Sequence, residues 1–384
     1  MPLKRKIAYI DLSSGNIKKS SIPEKMRRLY LGGRGIDMYL LYNHVKPGCD
    51  PLSPDNVVTV SAGLLGGTVA PASARCHSGA KSPLTNGVGS TNMGGFFAPE
   101  LCFAGFHHLL FKGKADSPVY IWIKNGEIEI RDARHLWGKD AIETQKLIRE
   151  ELGDEEIKVA CIGPAGENLV RYANIRTGMK NSGGRSGVGC IWGSKNLKAI
   201  VAKGHGSVEV HDPQKYIEVV SEAWAAVEED PGFQTGEHSA LGTGVVLMLG
   251  NVQGWLPVRN FIDNYFERAE DVSAEEFRDR CSVKKTPYPG GRACMSCPNR
   301  CKRYGVIESG KYVGTKGGLE FEAMGGFGPK CGVGDLDAVF HAGMISNDYG
   351  MDVVSLSSTI AFLMELNERQ KEAIMHDEGP ALVL

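Results

Sequence analysis

No run in this chain of 384 residues reaches the ~18 consecutive apolar residues that a membrane-spanning helix needs, so no membrane span is expected. Charge of one sign is lacking too: 44 Lys and Arg stand against 45 Asp and Glu, a formal net charge of -1. That balance gives no bulk electrostatic reason to expect a nucleic-acid or membrane-surface partner. No secretory leader is expected from the opening residues. The start, Met1-Pro-Leu-Lys-Arg-Lys6, is basic, but Ile7-Ala-Tyr-Ile-Asp-Leu12 reads as a short strand and not as a signal core. Without a leader, the ten cysteines point to thiolate chemistry in a reducing cytoplasm rather than to disulfides. There is no Walker A loop and no clean dinucleotide fingerprint. Gly163 and Gly166 follow a strand, but the third glycine and the downstream acid are not in place.

Glycine is abundant: 49 residues, without the period that would signal collagen. Such a number suggests tight turns and backbone packed against a large ligand. The glycine-rich segments are Leu31-Gly-Gly-Arg-Gly35, Gly63-Leu-Leu-Gly-Gly67, Asn92-Met-Gly-Gly-Phe96, Gly163-Pro-Ala-Gly-Glu-Asn168 and Gly183-Gly-Arg-Ser-Gly-Val-Gly189. They read either as turns in a twisted sheet or as loops wrapping a bulky anionic cofactor with backbone N–H groups. Arg34, Arg75 and Arg185 lie in or near such loops and could neutralise phosphates bidentately.

The strongest local signal is Cys294-Met-Ser-Cys297-Pro-Asn-Arg-Cys301. Spacings of two and three residues let three thiolates converge on one iron–sulfur or zinc site. Zinc usually takes a second Cys or Cys/His pair, and none follows with that spacing. His341 and His376 lack it. The other cysteines sit singly in apolar or glycine-rich surroundings and read as small buried residues. Cys281 and Cys331 lie closer to the triplet.

Two regions follow from the pattern. Residues 1–207 are strand-rich. Strands are expected at Val57-Val-Thr-Val-Ser61, His107-His-Leu-Leu-Phe111, Lys158-Val-Ala-Cys-Ile162 and Leu197-Lys-Ala-Ile-Val-Ala202. Asn125-Gly126 predicts a hairpin between Val119–Lys124 and Glu127–Arg131. An amphipathic helix is expected over 140–152. Residues 208–384 carry helical patterns at Tyr216–Glu229, Asp335–Ser346 and Val353–His376. The fold class is α+β, a mixed-sheet domain followed by a mainly helical one. Gly350 suits a helix C-cap and Asp352 an N-cap.

The chain resembles the tungsten-dependent aldehyde ferredoxin oxidoreductase family. The likeness rests on Gly32-Gly-Arg-Gly35, Pro51-Leu-Ser-Pro-Asp-Asn56, Lys81-Ser-Pro-Leu-Thr85, Asn92-Met-Gly-Gly-Phe96, Ile128-Glu-Ile-Arg-Asp-Ala133, Gly163-Pro-Ala-Gly-Glu-Asn168, Gly187-Val-Gly189, Gly193-Ser-Lys-Asn-Leu-Lys-Ala199 and the cysteine triplet, in that order. It implies a tungsten bis-pterin cofactor beside a [4Fe–4S] cluster. The activity implied is oxidation of aldehydes to carboxylic acids, with ferredoxin or an electron-transfer subunit as acceptor. A related branch reduces aromatic acyl-CoA thioesters within larger complexes.

Residue by residue, the resemblance implies that Arg75 bridges pterin and cluster. Backbone carbonyls of Asn92 and Ser182 would hold a Mg2+ that joins the pterin phosphates. Gly94, Gly95, Gly183 and Arg185 belong to the cofactor loops, and Cys294, Cys297 and Cys301 are cluster ligands. Asp352 closes a pterin motif whose opening aspartate is Asn347 here, which loses a charge-assisted bond. Glu320 matches an acidic residue beside the metal. A glutamate there can relay a proton where a closed, dry pocket raises its pKa. The family's C-terminal domain, which supplies a fourth cluster cysteine, is expected to be absent from this chain. The chain would then depend on a separate chain in a homo- or hetero-oligomer, or be inactive alone.

Overall fold

The computed structural model describes residues 5–179, 181–234, 236–283 and 291–365. By contacts the chain divides into two compact units. The first comprises 1–239, 292–300 and 346–352, and the second 240–291, 301–345 and 353–384.

Two six-stranded sheets build the first unit. One is formed by β1 (Lys6–Asp11), β2 (Ile17–Ser21), β3 (Val58–Ala62), β4 (Cys76–Lys81), β5 (Val88–Met93) and β6 (His108–Lys112), in the order β2-β1-β6-β3-β4-β5. Only β1 and β6 are parallel in it. The other holds β7 (Val119–Lys124), β8 (Glu127–Asp132), β9 (Lys158–Cys161), β10 (Ile175–Thr177), β11 (Asn181–Gly183) and β12 (Leu197–Lys203), in the order β11-β10-β9-β12-β7-β8. The β7–β8 hairpin turns at Asn125-Gly126 as its sequence predicts, both residues having positive φ. Strand β12 is buried along its whole length, which is why it reads as a continuous apolar run rather than an alternating one.

The expected helix at 140–152 is Ala141–Leu152. Asp140 caps it, accepting the N–H groups of Ile142 and Glu143. Helices also form at Pro213–Glu229, Leu336–Asp348 and Val353–Glu365. The expected extension of the last to His376 lies outside the described residues. This is the α+β architecture anticipated from the pattern.

Several family-like motifs turn out to serve packing. A Cβ on Gly193 would stand 1.9 Å from the carbonyl oxygen of Gly166, so the buried helix Val188–Ser194 lies against the chain at Gly166 as only glycine permits. Lys198, fully buried, forms an ion pair with Glu167 and donates to the carbonyl of Lys139 at 2.8 Å. The N–H of Gly138 donates to the same glutamate at 2.7 Å. A buried charge is tolerable only with such partners. Asp37, likewise fully buried, accepts from His77 Nδ1 at 2.5 Å, Ser61 Oγ at 2.5 Å and His108 Nδ1 at 3.0 Å. Burial pushes its pKa up, but the bonds from His108 and His77 outweigh that and hold it below the usual carboxylate value.

The second unit is mainly helical around Leu247, Leu256, Phe266, Phe277, Phe327 and Phe340. Phe277 and Phe340 meet edge-on, with centroids 5.0 Å apart. An antiparallel pair of strands, Lys302–Val306 and Lys316–Leu319, carries the chain into the helix Phe321–Phe327.

Candidate active site

In the first unit, segments far apart in sequence meet at one place. Strand β5 leads into Gly94-Gly95. Gly94 accepts a hydrogen bond from Thr177 Oγ1 at 3.2 Å, and Gly95 accepts one from the N–H of Met295 at 3.3 Å. A Cβ on Gly94 would lie 2.7 Å from the sulfur of Cys294. One on Gly95, where φ is +102°, would lie 2.7 Å from Asn181 Nδ2. The loop therefore has no side chains where it crosses the first cysteine of the triplet. The buried Oδ1 of Asn181 has no partner among the described residues, so an acceptor stands idle at the same place.

Strands β10 and β11 add a polar row. Arg176, buried, donates to Ser182 Oγ at 3.2 Å and to the carbonyl of Met179. Ser182 Oγ in turn donates to Asn347 Oδ1 at 3.3 Å, across 165 positions of sequence. Arg185 Nη1 donates to Asp352 Oδ2 at 2.7 Å, across 167. The guanidinium is 60% exposed while the carboxylate is 3% exposed, so the pair presents a cation at the surface on a fixed buried anion. Segment 346–352 is fastened through its backbone: Asn174 donates to the carbonyls of Gly350 at 2.7 Å and Met351 at 2.8 Å, and Asp352 N–H donates to Tyr172 at 3.1 Å.

Asp348 had no signal beyond its place inside this motif. Its carboxyl is pushed up to about 6 by burial, with Arg176 opposing and Asp140 reinforcing. Its oxygen lies 4.0 Å from Arg176 Nη2. Arg176, Asn181 and Asp348 thus join the candidate site residues, and the sequence alone did not single them out.

The triplet loop is docked on the same unit. Ala72 N–H donates to Ser296 O at 2.7 Å, and Ser296 Oγ to Thr68 O at 3.1 Å. Arg75, exposed, follows on the segment so anchored. Cys297 N–H donates to Cys294 O at 3.2 Å. Cys294 and Cys297 belong to the first unit and Cys301 to the second. All three are half-buried. Among the described residues no three His, Cys, Asp or Glu side chains are gathered to hold a metal ion, so the ligand role of the triplet rests on its spacing. Cys331 is occupied otherwise: its thiol donates to Gly326 O at 3.3 Å, and burial raises its pKa.

Glu320 lies in the second unit, where strand Lys316–Leu319 becomes helix Phe321–Phe327. Its carboxylate forms an ion pair with Lys302, the residue after Cys301, and is 29% exposed. Its immediate neighbour is an ammonium, not an apolar wall. A cavity of about 630 Å³ in the first unit, lined by Asp50, Lys81, Thr85 and Arg171 among others, contains none of the candidate site residues.

Comparison with known proteins matches residues 7–204 to the aldehyde ferredoxin oxidoreductase N-terminal domain. Residues 218–379 match the family's domains 2 and 3. The second match corrects the expectation that the C-terminal domain is absent, since the matching description includes domain 3. The tungsten-containing aldehyde ferredoxin oxidoreductase of Pyrococcus horikoshii is 40% identical over 364 residues, 95% of this chain and 58% of its own length. The aliphatic sulfonate oxidoreductase WOR-like subunit of Pyrococcus furiosus is 29% identical over 381 residues, 95% of this chain and 59% of its own. The chain thus spans a little under three-fifths of the curated relatives it matches. Among solved structures, the active site complex BamBC of benzoyl coenzyme A reductase with 1,5-dienoyl-CoA superposes with a TM-score of 0.82 at 28% identity. It covers 98% of this chain and 57% of that one.

Proposed function

The chain belongs to the aldehyde ferredoxin oxidoreductase family, and from that premise we propose that it is a tungsten–pterin oxidoreductase which oxidises aldehydes to carboxylic acids and passes the electrons through a [4Fe–4S] cluster to ferredoxin or an electron-transfer subunit. The observation that carries this reading is the convergence of Gly94, Gly95, Ser182, Arg185, Asn347 and Asp352 from separate segments. Their donor set fits the group. A loop without side chains, a buried acceptor at Asn181 and an exposed guanidinium fixed on a buried carboxylate suit a flat, polar, anionic ligand.

In this reading Arg75 and Arg185 supply charge to the anionic cofactor, and the backbone carbonyls of Asn92 and Ser182 hold the Mg2+. Cys294, Cys297 and Cys301 ligate the cluster. When bound, the cofactor supplies two-electron oxidation of the substrate and single-electron exit through the cluster. Glu320 receives or returns the proton at the substrate carbonyl, and Lys302 holds its carboxylate in one orientation. The locale is the cytoplasm. Among the described residues no helix is long and apolar enough to cross a membrane.

An anaerobic assay of viologen reduction tests the proposal on metal-replete protein. Aldehyde-dependent reduction is expected. A replete protein that ignores aldehydes and turns over aromatic acyl-CoA thioesters would favour a second reading, an acyl-CoA reductase subunit. That reading draws on the BamBC likeness.

A further inference from the structure

Strand β5 closes one edge of its sheet, and its burial alternates: Gly89, Thr91 and Met93 are buried, while Val88, Ser90 and Asn92 line the open face. Val88 is 66% exposed, so that face meets solvent beside Ser90. Register sets Gly79 of β4 opposite Ser90 and His77 opposite Asn92, which puts His77 on the same face as the serine. A Cβ on Gly79 would stand 3.2 Å from Cε1 of His77, so the ring lies over the glycine on its way to Ser90. His77 Nε2 and Ser90 Oγ are 2.9 Å apart.

The other nitrogen of the ring is bound to a carboxylate. Nδ1 of His77 lies 2.5 Å from Oδ2 of Asp37, in the first turn of helix Arg34–His44. The two side chains are 4% and 0% exposed. Ser61 Oγ donates to the same carboxylate at 2.5 Å, and His108 Nδ1 lies 3.0 Å from it. An ionised carboxylate only accepts, so Nδ1 of His77 carries a proton, and the neutral ring turns the lone pair of Nε2 to Ser90. The serine is also held through its backbone. Its N–H donates to Ser186 Oγ, which donates to its carbonyl, both at 3.3 Å. Nucleophile, base and orienting carboxylate thus stand in order, each within hydrogen-bond reach of the next, and the nucleophile is at the open end. A serine that served packing alone would need only a carbonyl or a water, whereas a buried Asp–His pair behind it carries a desolvation cost.

We propose that Ser90 is a nucleophile activated by His77, with Asp37 orienting the ring, and that it accepts the acyl group of small uncharged esters, with Val88 beside it as the apolar contact. Ser90 Oγ bonds to the ester carbonyl carbon as its proton passes to His77 Nε2. That proton leaves with the alkoxide when the ester C–O bond breaks. Water then attacks the acyl-serine by the same route, giving a carboxylic acid and free Ser90. Asp37, His77 and Ser90 are not among the candidate cofactor residues, and no redox step is involved. The proposal therefore stands or falls separately from the tungsten–pterin reading.

The test treats the full folded chain with a fluorophosphonate, which labels activated serines and not ordinary ones, and locates the adduct by peptide mass spectrometry. About one adduct per chain, at Ser90, is expected. Hydrolysis of p-nitrophenyl acetate is followed on a second portion, and Ser90→Ala is expected to lose both reactions. His77→Ala should slow labelling at Ser90 by about 100-fold or more, and imidazole in the buffer should restore part of the rate. Asp37 is a positioning residue. Asp37→Asn should slow labelling by about tenfold or more in folded chains, a rate that a purely structural carboxylate would not change. The proposal is overturned by wild-type protein that is not labelled at Ser90, by His77→Ala labelled as fast as wild type, or by Ser90→Ala that hydrolyses the ester as fast as wild type.

Discussion

The two ion pairs Glu167–Lys198 and Glu320–Lys302 look alike on paper and differ in setting. In the first unit, Lys198 is completely buried, its glutamate nearly so, and a carbonyl and an N–H complete the set. In the second unit, Lys302 and Glu320 are 15% and 29% exposed, and Glu320 accepts no helix-capping bond. The first pair is a fixed part of the packing. The second retains access to water. The difference separates charge enclosed in a scaffold from charge open to solvent, and the proposed proton transfer at Glu320 would use the second kind.

Four substitutions sharpen that contrast. Lys198→Ala leaves Glu167 buried without its partner and should lower stability by ~3–5 kcal/mol in denaturant unfolding. Gly193→Ala drives a methyl into the backbone at Gly166 and should lower it by ~1–3 kcal/mol or more by the same measurement. Lys302→Met should change stability by only ~1 kcal/mol or less, because its pair is partly solvated. It should nonetheless depress turnover far more than the unfolding midpoint. Equal losses in both would make Lys302 a structural residue.

Asp348 provides the fourth, through pH. Its folded pKa of about 6 lies above the ordinary 3.8, so between those values the unfolded chain is ionised while the folded one retains the proton. The residue's contribution is therefore most favourable below about pH 4 and is lost as pH rises through about 6. Allowing for its partial exposure, Asp348→Asn should raise stability at pH 7 by ~1 kcal/mol and flatten the melting temperature between pH 4 and 6. An unchanged pH profile would show that the carboxyl is not held in its neutral form.

The elements were legible where local chemistry decides them. Asn125-Gly126 dictates its hairpin, and Asp140 dictates where its helix begins. Alternation of apolar residues does not say which sheet a strand joins, and the division of twelve strands into two sheets was not readable. At the candidate site, Ser182 and Asn347 or Arg185 and Asp352 lie too far apart in sequence for spacing to pair them; Arg185 stood out by its glycine-rich loop, whereas the family resemblance named Ser182 and Asn347 and gave Asp352 a role beyond helix capping. Arg176 and Asp348 carried no pattern at all, since their partners come from other segments. Lys302 was nearer to hand: strand register places Arg303 opposite Leu319, so the next pair outward is Lys302 and Glu320. The register, however, is a tertiary fact. Glycines in Gly163–Asn168 read as cofactor loops or as turns, and Gly193 only as part of a family-like stretch. Gly166 and Gly193 instead serve close approach of one backbone to another.

The central claim is that the face built by Gly94, Gly95, Ser182, Arg185, Asn347 and Asp352 holds a tungsten–pterin cofactor. Elemental analysis of anaerobically purified wild type and Arg185→Met, with pterin measured after acid oxidation, tests it most directly. Arg185→Met removes a partner of the buried Asp352, so the fold of the variant is checked by circular dichroism and denaturant unfolding before its loading is compared. Wild type should carry about one tungsten and about four irons per chain, and the variant should lose most of the tungsten and pterin. Folded wild type with neither metal nor pterin, or a variant loaded as fully as wild type, would contradict it.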